Sequence, residues 1–377
     1  MSSAFDPHDV DLDTADPAQV VCYLSQSPND YNGHLGARIS AVFVILLVST
    51  FAALFCVAAT RVRWFKLPLY VYMFARYFGA GVILATAFVH LLDPAFSEIG
   101  PQTCVGMTGA WASYSWPPAI ALVSVLAIFV LDFAAERYVE AKYGISHADL
   151  DVQRLVEHAQ ECGAGDGESV PQVESGDDED RCARVPSGPD RLGFDKKGAT
   201  EIDIESFNSK IDAHLFREQI AAFLILEFGI NVHSVIIGMN LGVVGSEFAT
   251  LYPVIVIHQC FEGLGIGARM SAIPFPQRYW WLPWVLCAAY GLTTPVGVAI
   301  GLSVRTTYSS GSFTVNVVSG ILDSISAGIL IYTGLVELLA RDFLFNSRRP
   351  KQTRQLTFML VSLLAGAGIM ALLGKWA

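Results

Sequence analysis

Eight long apolar segments constrain the fold of this 377-residue chain more than any other feature of its sequence. A helix needs about 20 predominantly apolar residues to cross the hydrocarbon core of a bilayer, and each segment meets that length. Hydrophobic residues make up 53% of the chain and its mean hydropathy is +0.45, values that favour a polytopic membrane protein over a soluble domain. The predicted spans are 37–60, 69–93, 116–135, 217–243, 249–270, 279–303, 313–340 and 353–374.

Lysine and arginine residues predict how the spans are oriented, because cytoplasmic loops carry an excess of them. They are frequent in the segments 61–68 and 341–354, whereas residues 1–36, 94–115 and 244–248 contain none. The fold class expected from this pattern is an all-α polytopic membrane protein with eight transmembrane helices and both termini extracellular.

The polar segments divide the chain into four parts. Residues 1–36 form an acidic extracellular arm without the basic start of a cleavable signal peptide. Residues 37–135 hold the first three helices, and residues 215–377 hold the other five. Between them, residues 136–214 contain 19 acidic and 9 basic residues, a composition that cannot bury a core. We therefore expect a largely disordered cytoplasmic loop there.

The seven cysteines form no CxxC pair and no metal-binding signature. Cys22 and Cys104 both fall on the predicted external side. The sequence is compatible with one disulfide between them but does not require it.

Polar groups inside the fourth and fifth spans are the best indication of function. His258 and Glu262 are four residues apart, so they project from the same helix face, and His233 lies at comparable depth in the preceding span. Such groups are costly in hydrocarbon unless something compensates them. Imidazole and carboxylate groups are good zinc ligands. The pattern predicts a metal site near the bilayer midplane; the alternative is a hydrogen-bonded contact between helices.

Further polar side chains suggest a path to and from this site. His90 lies near the outer end of span two, and Asp93 lies just beyond it. We interpret the two residues either as external capture ligands or as an interfacial pair that faces water. Glu227 lies about two turns before His233 on nearly the same face, either as an inner relay ligand or as a carboxylate held within the bundle. Asp323 in span seven is interpreted as a packing or hydration site.

Four stretches of the chain carry a specific resemblance. They read GVILATAFVHLLDPAF at 81–96, HSVIIGMNLG at 233–242, HQCFEGLGIG at 258–267 and SGILDSISAGILIYTGLVELLARDF at 319–343. The chain resembles the ZIP (Zrt/Irt-like) family of metal transporters, and its fungal zinc-uptake branch in particular. The resemblance implies eight helices with both ends outside and a metal site built from spans four and five.

By motif position, the resemblance assigns the main metal ligands to His233, His258 and Glu262. Ser234 and Gln259 occupy positions where some members of the family have stronger ligands for a second metal. We therefore expect one principal transport site, assisted by Ser234 or Gln259, rather than a binuclear centre.

The function expected from these observations is transport of Zn²⁺, as substrate, into the cytoplasm; alternating access is implied by the resemblance alone. Fe²⁺, Mn²⁺ and Cd²⁺ accept overlapping ligands and remain alternative substrates. One rival is an intramembrane zinc hydrolase, against which the sequence has no HExxH motif, so we expect no enzyme. A second rival is a metal-sensing receptor that signals through the long loop.

The expected partners are a divalent metal ion and the lipid bilayer, with no nucleic acid. The sequence leaves the oligomeric state open, a homodimer being one alternative. Lys196, Lys197 and Lys210 could accept ubiquitin from ubiquitylation machinery acting at the cytoplasmic loop, whose alternative role is a passive tether. The external N-terminus and the uptake-type resemblance favour a multi-pass protein of the plasma membrane over one of an internal membrane.

Overall fold

The computed structural model describes residues 15–25, 31–62, 68–143, 201–306, 311–345 and 352–376, and the longer regular elements in those ranges are helices. The α-helices are α1 (Pro17–Ser25), α2 (Leu35–Arg61), α3 (Leu69–Ala85), α4 (Asp93–Ile99), α5 (Trp116–Tyr143), α6 (Glu201–Val243), α7 (Phe248–Ala272), α8 (Leu282–Val304), α9 (Phe313–Tyr332) and α10 (Thr353–Leu373).

Eight helical segments among the described residues are long and apolar enough to cross a membrane, which confirms the all-α, eight-span part of the predicted fold class. The two largest extensions beyond the predicted ends are those of the second span, to Ile99, and of the seventh, to Leu344. In each case a π-helical segment continues the α-helix: Thr86–Leu92 links α3 to α4, and Thr333–Phe345 follows α9. A continuous helix is favoured at this depth because hydrocarbon offers no other partner for the backbone polar groups.

The chain divides into two units. Residues 1–129 and 213–377 form the first, which contains the helix bundle, and residues 130–212 form the second. In the second unit the described residues are the last part of α5 and the first part of α6.

Helix α5 runs to Tyr143 and helix α6 begins at Glu201, so residues 136–143 and 201–214 are helical, and our prediction of a disordered loop was wrong for them. Ile204, Phe207 and Ile211 recur at helical spacing, a signal that the acidic composition of the whole insert had obscured. The expectation of disorder for residues 144–200 lies outside the described residues.

Helix α3 packs against two neighbours at glycine positions. A Cβ atom added at Gly79 would lie 2.1 Å from the Cα of Gly265 in α7, and one added at Gly366 in α10 would lie 2.1 Å from the carbonyl oxygen of Phe78. Small residues of this kind let helix backbones approach closely within a membrane. The three helices are therefore held in contact through their backbones.

Arg38 is fully buried near the start of α2, and its side chain caps the C-terminal end of α6. Its guanidinium donates hydrogen bonds to the carbonyl oxygens of Leu241, Gly242 and Val244, and it also packs over the ring of Phe248. The last carbonyls of a helix have no partner within the helix. Arg38 supplies that partner and connects α2 to the α6–α7 hairpin.

Cys22 in α1 and Cys104 in the loop after α4 form a disulfide bond. The sequence had left this pairing open. The bond joins the N-terminal arm to the segment between the second and third spans. Disulfides persist mainly in oxidising compartments, so the bond bears on the orientation discussed below.

Helix α5 presents a broad apolar surface. Leu122, Val123, Leu126, Phe129 and Val130 are all more than half exposed. A contiguous apolar patch of this kind on a helix long enough to span the membrane is typical of contact with lipid.

Two neighbouring glycines of α10 allow the close packing to be tested. We expect Gly366→Ala to lower stability by about 1–3 kcal/mol, because the added methyl group must displace the backbone of α3. Gly368, two residues on, faces open space with nothing within 4 Å of an added Cβ, so Gly368→Ala should be neutral. The measurement is the temperature at which the detergent-purified protein loses its monodisperse chromatographic peak. Equal midpoints for the two variants would contradict the packing described here.

Candidate metal centre

His233, His258 and Glu262 form a cluster in the interior of the bundle. Each offers one ligand atom, and these atoms all lie within 4.8 Å of one another. The Nε2 atom of His258 is 3.2 Å from Oε1 of Glu262, because the two residues are one turn apart on α7. The ring centroids of His233 and His258 are 5.7 Å apart.

The cluster lies about half the length of a membrane span from the α6–α7 hairpin. His233 is ten residues before Val243 and His258 ten residues after Phe248, the two ends of the α6–α7 hairpin. At 1.5 Å per residue this is about 15 Å, half of the roughly 30 Å hydrocarbon core.

Several polar atoms of the cluster lack hydrogen-bond partners. His258 and Glu262 are fully buried and His233 is 4% exposed, yet both ring nitrogens of each histidine and Oε2 of Glu262 make no hydrogen bond. Buried polar atoms are normally paired, since leaving them unpaired is costly. The chemistry of the donor set, two imidazoles and one carboxylate, fits a divalent cation such as Zn²⁺.

Helix α3 and its π-helical continuation add two polar side chains to this cluster. α3 and α7 run antiparallel and cross at Gly79 and Gly265, and beyond this crossing Thr86 contacts Glu262 and His90 contacts His258. The Thr86 hydroxyl is 3.1 Å from Oε1 of Glu262, to which it donates a hydrogen bond. The His90 ring stands edge-on to that of His258, with 4.8 Å between their centroids. Both residues belong to the π-helical segment, a feature often found at functional sites.

Comparison with known proteins agrees with this geometry. The sequence profile of the family described as ZIP Zinc transporter matches residues 35–374, which cover nearly the whole chain. The chain belongs to the ZIP zinc transporter family. The resemblance inferred from the sequence is thereby confirmed, as is the expectation that the protein is a transporter and not an enzyme.

Related transporters match along almost their full length. The chain is 52% identical to Zinc-regulated transporter 1 of Saccharomyces cerevisiae, over 99% of this chain and 97% of the relative. It is 39% identical to Zinc-regulated transporter 1 of Schizosaccharomyces pombe, over 98% and 92%. It is 29% identical to Fe(2+) transport protein 3, chloroplastic, of Arabidopsis thaliana, over 96% and 91%.

The structure places His90, one of the two expected capture residues, deeper in the bundle than we predicted. It is 4% exposed, its Nε2 atom lies 3.1 Å from the carbonyl oxygen of Met370, and its ring contacts His258. Our interpretation of a position near the outer end of the span was wrong because the helix continues to Ile99. Asp93 is exposed at the start of α4, as expected of a residue outside the bundle core.

Ser234 and Gln259 are fully buried beside the ligands and are joined to each other. The Gln259 amide donates a hydrogen bond to the Ser234 hydroxyl over 3.4 Å and accepts one from the hydroxyl of Tyr290 over 3.1 Å. A metal ion bound by Gln259 would compete with this chain of hydrogen bonds. The arrangement suits side chains that fix the two ligand helices relative to each other.

Glu227 is 4% exposed and its Oε1 atom has no hydrogen-bond partner. It lies six residues before His233, which separates the two side chains by about 120° around α6. Our expectation that they share nearly one face was therefore wrong. Glu227 is a buried carboxylate that lies further from the α6–α7 hairpin than the cluster does.

Asp323 is the site residue that sequence reasoning missed. It is 3% exposed, and its Oδ1 atom lies 3.9 Å from Nδ1 of His233, so it belongs to the surroundings of the cluster rather than to simple packing. A second carboxylate at midplane depth, in a motif shared with the family, was the signal that could have identified it.

We call the membrane face at the α6–α7 hairpin the hairpin side, and the opposite face, which holds Arg61, Arg269 and Arg341, the basic side. A cavity of about 190 Å³ lies toward the basic side of the cluster. Three ion pairs line it: Arg76 with Asp342 at 2.7 Å, Arg341 with Glu337 at 2.9 Å, and Arg269 with Glu337 at 3.7 Å. The first joins α3 to the π-helical segment after α9, and the third joins α7 to the same segment.

The hydrogen bond from Thr86 to Glu262 provides a test of the cluster. Partners that orient a metal ligand typically contribute about 10–100-fold to metal affinity. We expect Thr86→Val to weaken zinc binding by about that range, measured by equilibrium dialysis of the purified protein. Thr86→Ser keeps the hydroxyl and should bind as the unchanged chain does. Equal affinity of the valine and serine variants would show that the hydroxyl does not orient Glu262.

Proposed function

We propose that this protein takes up Zn²⁺ through the plasma membrane into the cytoplasm, with His233, His258 and Glu262 as the transport site. The observation that carries the proposal is a buried, unpaired set of two imidazoles and one carboxylate at the bilayer midplane. Two relatives that match over nearly the whole chain bear the name of zinc-regulated transporters.

Three protein ligands suit passage better than storage. Structural zinc sites are closed by four protein ligands, whereas an incomplete shell leaves a position for water or for an exchanging ligand. The ion can then enter and leave without the whole shell breaking at once. Because the ligands come from two adjacent helices, rocking of one group of helices against the other would expose the site to each side in turn.

The ligand set also bears on the choice of metal. Two imidazoles favour zinc, but an Fe²⁺ ion accepts the same ligands, and one relative is named as an Fe(2+) transport protein. Mn²⁺ and Cd²⁺ are further candidate substrates on the same chemical ground. We propose Zn²⁺ as the principal substrate because the relatives with the higher identities are named for zinc.

We propose a route from the hairpin side to the basic side. The exposed Asp93 would attract the ion, and His90 would guide it to His258, whose ring it contacts. Glu227 would accept the ion beyond the cluster, despite lying on another face of α6. The cavity lined by Arg269 and other charged residues would then conduct it out.

The hairpin side is proposed to be extracellular, together with both termini. Two independent observations support this orientation. Basic residues are concentrated on the basic side, and an excess of Lys and Arg is typical of cytoplasmic loops. The Cys22–Cys104 disulfide also lies on the hairpin side and fits an oxidising compartment.

Two further partners remain proposals. A homodimer could use part of the exposed apolar surface of α5, which otherwise faces lipid. Ubiquitylation at the cytoplasmic loop would regulate the amount of protein at the surface. Lys196 and Lys197 lie outside the described residues, and Lys210 lies in the first part of α6.

Zinc flux through purified protein tests the transport site. We expect liposomes containing the intact chain to show saturable ⁶⁵Zn influx, and His258→Ala to abolish it because a ligand is lost. Ile257→Ala, which shortens the neighbouring lipid-exposed side chain of the same helix, is the matched control and should retain influx. Influx retained by His258→Ala would place the site elsewhere. Absence of influx in the intact chain, across candidate coupling ions, would refute transport and favour a sensor.

Labelling of cysteines in intact cells tests the orientation. A membrane-impermeant maleimide should label the protein only after an impermeant reductant has opened the Cys22–Cys104 bond. In Cys22→Ser, Cys104 should be labelled without reductant. Labelling of Cys162 or Cys182 in the unreduced, intact cells would instead place the 136–214 loop outside and reverse the proposed orientation.

A further inference from the structure

Arg269, in the last turn of α7, carries a positive charge that its ion pair balances only in part. Its side chain is 14% exposed, and its Nη2 atom lies 3.7 Å from Oε2 of Glu337, which is longer than a hydrogen bond. Its Nη1 atom is shielded from solvent and has no hydrogen-bond partner among the described residues. Burying a charged donor without a partner is costly, so this guanidinium is suited to a further acceptor.

The other charged groups around Arg269 are engaged with each other. Oε2 of Glu337 lies closer to Nη1 of Arg341, at 2.9 Å. Both carboxylate oxygens of Asp342 accept hydrogen bonds from Arg76, at 2.8 Å for Oδ1 and 2.7 Å for Oδ2. The described residues that line the basic-side cavity thus carry three guanidinium groups and two carboxylates, an excess of one positive charge.

The cavity gives a negatively charged group room to approach Arg269. Its volume is about 190 Å³, whereas a single water molecule needs roughly 10–15 Å³, so a group of several heavy atoms fits. Arg269 lies deep in the cavity, and Arg341 lies at its rim with 48% of its side chain exposed. Gln219 of α6 also lines the cavity and adds an amide that can donate a hydrogen bond.

The depth of the cavity in the membrane indicates which anion it suits. Helix α7 has 25 residues, about 37 Å of helix, and is longer than the hydrocarbon core of about 30 Å. Its last turn, which carries Arg269, therefore reaches the level of the lipid headgroups. Basic pockets between transmembrane helices at this level are suited to phospholipid headgroups. The planar guanidinium of arginine matches the oxygens of a phosphate group.

We propose that the basic-side cavity is a binding site for a phosphate group, in which Arg269 supplies the main contact. Its depth favours the headgroup of an anionic phospholipid over free phosphate as the source. A bound phosphate group would connect α7 to α3 and to the π-helical segment after α9. It would also offset the positive charge that repels a cation on the proposed exit route of zinc.

Native mass spectrometry of the purified, delipidated full-length protein tests this site. We expect the first molecule of phosphatidylserine to bind more tightly than phosphatidylcholine with the same acyl chains, because the cavity has an excess positive charge. Arg269→Gln should weaken that first binding step about tenfold or more, since a charge-assisted hydrogen bond is lost. Arg278→Gln removes an exposed arginine on the same side, outside the cavity, and should leave the step unchanged.

A second variant keeps the test valid if Arg269→Gln gives no monodisperse protein. Arg269→Lys retains the charge beside Glu337 but loses the planar fork, so it should weaken the binding of phosphatidylserine by a smaller factor. Unchanged binding in both variants of Arg269 would overturn the proposal.

Equilibrium dialysis with ³²P-labelled orthophosphate identifies the source of the phosphate group. Binding of orthophosphate that is lost in Arg269→Gln, without a preference for phosphatidylserine, would assign the site to free phosphate. Failure of both probes to bind would overturn the proposal and leave a water-filled cavity. Equal losses in Arg269→Gln and Arg278→Gln would also overturn it, because they would show a general attraction to the basic side. Neither measurement uses zinc, so the result does not depend on transport.

Discussion

The approach of α3 to α7 at Gly79 and Gly265 is the constraint on which the metal centre depends. A backbone contact of this kind is possible only where both residues lack a side chain. It holds two antiparallel helices close enough for Thr86 to reach Glu262 and for His90 to reach His258. With a larger residue at the crossing, the helices would separate and the cluster would lose the hydroxyl that holds its carboxylate.

The sequence predicted the number of spans and the proximity of His233, His258 and Glu262 well, because both depend on local patterns. A span is visible as about 20 apolar residues. His258 and Glu262 share a helix face by their spacing alone. His233 and His258 lie at the same distance from the α6–α7 hairpin, one before it and one after it, so they reach the same depth. None of these predictions required knowledge of how distant helices pack.

The predictions that were wrong or missing depended on packing or on interrupted helical geometry. His90 was placed too far out because apolar patterning does not reveal a π-helical segment, and hence not the continuation of the helix to Ile99. We interpreted Asp323 as a packing or hydration site. Its proximity to His233 connects α6 and α9, which are far apart in the sequence, so local patterns do not reveal it. The Cys22–Cys104 pair was compatible with the sequence, but spacing alone does not select partners among cysteines.

The hydrogen bonds of Arg38 couple the movement of α6 to that of α2. Two terminal carbonyl groups of α6, and that of Val244 just after it, depend on its guanidinium, and that guanidinium is carried by α2. If His233 shifts along the membrane normal, the start of α2 must travel with it, or the carbonyls lose their partner in a site without solvent access. A movement that carries His233 therefore involves the first transmembrane helix, which contributes no residue to the cluster.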